Sequence, residues 1–152
     1  MSISRNICLL LLLVTLLCGV GISQRKPVPT PSAPVDQAGR ATAAFAEIAL
    51  KRADLEAELQ SLLIDYTDEF PRVKELKFAL TRIEVQTARL GDMKPAERDR
   101  ATTALGKLMV RKVEAETDLW KVQQDYADNH PDVRRAKKKV EIFEKAIAEI
   151  LS

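Results

Sequence analysis

Cysteine is nearly missing, and where it stands matters more than its scarcity. Cys8 and Cys18 both fall within the first 23 residues. Beyond them no disulfide can form, so an exported product must be held by packing alone. Histidine occurs once, at His130. A metal site wants several convergent ligands, and only Asp128 and Asp132 lie near it in the chain. Phe70 takes the same place in the other half of the sequence, so His130 reads as a structural turn residue. One histidine at a turn also gives no footing for a Ser-His-Asp set. Glycine is scarce, with 5 residues and no Gly-rich phosphate loop. Aromatic residues make up 5% of the chain. The formal charge is only +2, or +1 once Arg5 is removed with the leader, which gives no reason to expect nucleic acid. Neither catalytic residues, nor a cofactor, nor a metal is expected, and the chain does not read as an enzyme.

What is present begins with an address. Arg5 supplies a positive start, Ile7 to Leu17 is a leucine-dominated apolar run, and Gly21-Ile22-Ser23 places small residues where a signal peptidase reads. This predicts a signal peptide over residues 1–23, cleaved before Gln24, and a secreted or periplasmic product. Two alternatives stay open. The 16 residues from Ile7 to Ile22 are just short of the roughly 17–25 that span a bilayer, so an uncleaved inner-membrane anchor over 7–22 is one. A lipoprotein at Cys18 is the other, although bulky Leu17 precedes it. Membrane contact is expected only through this segment. Residues 24–39 form a linker, where Pro27, Pro29, Pro31 and Pro34 favour extended chain.

The remainder repeats itself. Asp65-Tyr66-Thr67-Asp68-Glu69-Phe70-Pro71-Arg72-Val73 returns 60 residues later as Asp125-Tyr126-Ala127-Asp128-Asn129-His130-Pro131-Asp132-Val133. Glu56/Glu116, Leu59/Leu119, Lys77/Lys137, Glu84/Glu144 and Ala88/Ala148 match at the same offset. One supersecondary unit used twice is the implication. Four apolar stripes with 4-3 spacing accompany it. The first is Ala41, Phe45, Ile48, Arg52, Leu55, Leu59, Leu62, Tyr66. The second is Val73, Leu76, Leu80, Ile83, Thr87, Leu90. The third is Ala101, Leu105, Leu108, Lys112, Ala115, Leu119, Val122, Tyr126. The fourth is Val133, Ala136, Val140, Phe143, Ile147, Ile150. A mean spacing of about 3.5 residues is the seam of a coiled coil.

Pro71 and Pro131 suit the first turn of a new helix, and Asp68 and Asp128 can accept bonds from the free amides there. The expected fold is all-α: two tandem antiparallel helical hairpins over 40–90 and 91–151. A four-helix bundle and an end-to-end arrangement are both compatible with a second, weaker apolar face (Ala49, Ala53; Met109, Val113). A proline-kinked rod is the alternative to each hairpin. Arg52 and Lys112 interrupt equivalent seam positions. They either fix register or snorkel out at the seam edge.

The turn motif Tyr-x-x-x-His-Pro-x-Val is complete at Tyr126, His130, Pro131 and Val133, and stands with Phe70 for His at Tyr66, Pro71 and Val73. It resembles the periplasmic coiled-coil segment of polysaccharide chain-length determinants and exopolysaccharide co-polymerases, where heptad helices flank such turns. The resemblance covers about 45 residues of each repeat. A second membrane span, a membrane-proximal α/β domain and a kinase motif are lacking, so it implies an accessory or a stand-alone piece. The expected role is an exported scaffold acting through protein partners or self-association along its seams, in envelope polysaccharide assembly. A periplasmic holdase chaperone is the alternative.

Overall fold

The computed structural model describes residues 42–152. The signal peptide read at 1–23, the linker at 24–39 and Ala41 lie outside them. Helix accounts for 85% of the described residues and no strand occurs among them, so the fold is all-α. None of these helices is long and apolar enough to cross a membrane.

Two threonines start the first helix of each hairpin. Helix α1 runs Ala43–Asp65 and α3 runs Thr103–Asp125. Phe45 N–H donates to Thr42 Oγ1 at 3.3 Å, and Leu105 N–H donates to Thr102 Oγ1 at 3.4 Å. These caps satisfy amides that have no partner within the helix, and they extend the repeat upstream of the residues that first reveal it. Both helices stop where Tyr66 and Tyr126 turn extended. Helix α2, Pro71–Gly91, and helix α4, Pro131–Leu151, then begin on proline. Phe70 and His130 hold φ −61° with ψ 130° and 141°, the extended backbone that a following proline imposes. Each pair folds back as a hairpin; neither forms a kinked rod. A short 3-10 helix, Pro95–Arg100, lies in the connection between the hairpins.

The hairpins lie side by side. Helices α1 and α3 run parallel, with Lys51 Nζ 2.9 Å from Glu114 Oε1 and Ala44 N–H donating to the Ala101 carbonyl at 3.0 Å. Gly106 permits this approach. A Cβ there would sit 2.7 Å from the Ala44 carbonyl oxygen, closer than packed atoms tolerate. Helix α2 crosses α3 antiparallel, and Phe78 stacks on Trp120 with ring centroids 5.2 Å apart. Both proline turns therefore lie at the same end of a four-helix arrangement. The end-to-end alternative does not form.

The core is shared unequally. Ile48, Leu55, Leu59, Val73, Leu76, Ile83 and Leu90 fill the first hairpin, and Leu105, Met109 and Val113 from α3 join them. Met109 and Val113 belong to the second apolar face of α3, which receives the first hairpin. Their counterparts Ala49 and Ala53 stay outside the core. Helix α4 packs mainly on α3 and buries only Val133 and Ile147 fully.

Candidate functional site

The two turns are near copies. In the first, the Tyr66 and Phe70 rings stack at 4.1 Å and 17°; in the second, Tyr126 and His130 stack at 4.1 Å and 17°. Phe70 N–H donates to the Thr67 carbonyl at 3.0 Å, and His130 N–H to the Ala127 carbonyl at 2.9 Å. Asp65 and Asp125 end their helices in solvent. Val73 and Val133 anchor each turn to the interior, both fully buried, while both tyrosines stay exposed. The matching local structure follows from a matching local cause: an extended pre-proline residue brings its own ring over the tyrosine four positions back.

The aspartates act differently from the capping expectation. Asp68 pairs with Lys77 at 2.8 Å, and Asp128 with Lys137 at 3.0 Å. They clamp the turn to the second turn of the next helix and leave its first amides alone. A hydrogen bond from Lys137, with a second from Gln123, holds the Asp128 carboxyl below its ordinary range. The capping role falls to His130 in one repeat, where Nδ1 accepts from Asp132 N–H at 3.2 Å. Phe70 offers no side-chain cap in the other. The cations at the tips are largely paired: Arg72 with Glu58 and Glu75, Lys74 with Glu69, Arg135 with Asp132, Lys138 with Glu141.

The two seam cations part company. Arg52 lies in solvent and pairs with Glu56 at 2.7 Å along its own helix. Lys112 is buried between helices. Its ammonium meets Glu116 at 3.1 Å and Glu144 at 2.9 Å. Arg82 grips Glu116 through two bonds of 2.8 Å, and Arg89 reaches Glu144 at 2.9 Å. These five charges tie α2, α3 and α4 together. Burial alone would raise the Glu116 carboxyl, but hydrogen bonds from Arg82 and Lys112 outweigh it and keep it below the usual range. Lys112 and Arg89 do the same for Glu144. Close by in sequence, Gln86 is buried, and its Oε1 has no hydrogen-bond partner among the described residues.

Arg82, Arg89, Glu116 and Glu144 escaped the sequence reading as a set. The available signals were Lys112 inside an apolar stripe, an acid four residues later, and two arginines one heptad apart on α2. A network of this kind is weak evidence for added stability, because desolvation offsets the attraction, but removing one member leaves a buried charge without its partner. Among the described residues no cluster of three or more potential metal ligands occurs. Comparison with protein-family models, with curated proteins and with solved structures finds no match.

Proposed function

We propose that this chain is an exported, non-enzymatic helical scaffold that works through protein partners in envelope polysaccharide assembly. One observation carries the reading. The Tyr-x-x-x-His/Phe-Pro-x-Val motif, on which the resemblance to polysaccharide co-polymerases rests, ends a helical hairpin twice, with the same ring stack each time. Both ends face one way, so the scaffold offers two like tips to one partner surface. Deleting the gene in its host should alter exopolysaccharide amount or chain length, and the protein should co-purify with defined envelope partners. Unchanged polysaccharide in the deletion strain would refute the reading.

A second reading, a periplasmic holdase, draws on exposed apolar side chains. Leu50, Ile64 and Ile142 are 62%, 82% and 58% exposed. A holdase suppresses aggregation of unrelated unfolded clients; a scaffold does not. That assay separates the two.

A further inference from the structure

The contact between the two repeats is made once inside the chain and leaves its complementary surfaces open. Helix α3 receives the α1/α2 hairpin on Gly106, Met109, Val113 and Thr117, all buried. Sixty residues earlier, α1 carries Ala46, Ala49, Ala53 and Ala57 at the same positions. That face looks away from the core stripe of Ile48, Leu55 and Leu59, and none of its residues is buried. Leu50 and Ile64 extend it, with Ala46, Leu50, Ala53, Ala57 and Ile64 in heptad phase and exposed Gln60 the one polar residue in that phase, the pattern of a helix seam. A seam this apolar and this open asks for another helix.

The α3/α4 hairpin carries what the α1/α2 hairpin uses to dock. Inside the chain Lys51 bridges to Glu114. The equivalent pair is Arg111 and Asp54, so the signs are kept. Arg111 is well exposed and pairs only along its own helix, with Glu114, which Lys51 already holds, and Asp54 has no ion-pair partner among the described residues. Inside the chain Arg82 grips Glu116. The equivalent pair is Ile142 and Glu56. Ile142 lies open to solvent, and Glu56 is already satisfied by Arg52. The substitution exchanges an ion pair for an apolar contact against the alanine face.

We infer that a second copy of this chain docks its α3/α4 hairpin on the outer face of α1, as the α1/α2 hairpin docks on α3 within one chain. Each copy gives one surface and receives on another. The contact is heterologous and builds a ring or a filament, with hairpins stacked as in repeat proteins. Ala46 in place of Gly106 sets a wider helix spacing between copies than within one. The inference rests on the scaffold reading and names the self-association that reading leaves unspecified.

Sedimentation velocity of the full chain tests it. The unaltered protein should show species larger than one chain, growing with concentration. Leu50→Glu removes the receiving surface and Ile142→Glu the docking one. Both positions are exposed in the single chain, so helical circular dichroism should persist while each variant alone stays a single chain. Mixed together, the two variants should form one discrete two-chain species, since each retains the surface the other lacks. Arg111→Asp should also abolish assembly, and adding Asp54→Arg to the same chain should restore it. A single-chain mass for the unaltered protein at every concentration overturns the inference. So does assembly by Ile142→Glu alone, which would indicate a symmetric α1–α1 contact, or a mixture that fails to pair. A single chain that still co-purifies with envelope partners would sink this inference and leave the scaffold reading standing. Assembly without any polysaccharide phenotype would do the reverse.

Discussion

At Lys112 one ammonium group faces two carboxylates, while its counterpart Arg52 faces solvent. The same seam position therefore carries two different costs. Lys112→Ala leaves Glu116 and Glu144 with one arginine each, and should destabilise the fold by about 1–3 kcal/mol. Arg52→Ala removes an exposed i,i+4 pair, for which about 0.5 kcal/mol or less is expected. Urea denaturation of the two variants checks the contrast, and equal losses would place both side chains in the same environment. The network also sets a pH dependence. Glu116 and Glu144 are depressed on folding. Such groups add stability above their unfolded pKa, about 4.3, and lose it as pH falls through the folded value. Stability should hold from neutrality to about pH 5 and decline below that. Glu116 should contribute more than Glu144, whose greater exposure lets solvent screen it. Glu116→Gln should therefore give a shallower acid limb in denaturation midpoints.

At the level of helices, Gly106 runs against ordinary propensity. Glycine to alanine inside a helix usually gains about 1 kcal/mol. Here the new methyl would press on the Ala44 backbone, and overpacking of this kind costs about 1–3 kcal/mol. Gly106→Ala should lower the unfolding midpoint; a rise would mean that α1 and α3 do not meet there. The seam itself is uneven. Leu59 is buried and Leu119 only half-buried, although the repeat makes them equivalents. Leu59→Ala should cost about 2–4 kcal/mol, and Leu119→Ala measurably less. The turns should be forgiving of the exchange the repeat already contains. His130→Phe keeps the ring stack and loses one cap, at a cost of about 1 kcal/mol.

At the scale of the molecule, the legible and the hidden separate by range. The proline turns, the hairpins and the four stripes were readable, because Pro71, Pro131 and the 4-3 spacing act through neighbours within a few residues. Local spacing points Asp68 and Asp128 to the first amides of the next helix, but lysines nine residues on take both carboxylates. The stripes are compatible with both a side-by-side and an end-to-end arrangement. The side-by-side one depends on Gly106 admitting Ala44, and on α3 using a face that α1 leaves bare. Arg52 and Lys112 could not be told apart from their spacing, since only the unequal surroundings of α1 and α3 distinguish them.

The side-by-side arrangement is the claim on which the charge network, the paired tips and the open α1 face all depend. It can be tested with spin labels at Thr67→Cys and Ala127→Cys, in a chain whose Cys8 and Cys18 are replaced by serine so that no other thiol competes. Neighbouring helices pack about 8–10 Å apart, so labels on adjacent tips should give a short double electron–electron resonance distance, on the order of 20–30 Å with the label arms. Hairpins placed end to end would separate the tips by at least one helix length, about 34 Å for a 23-residue helix. A distance distribution centred well above that length would contradict the account.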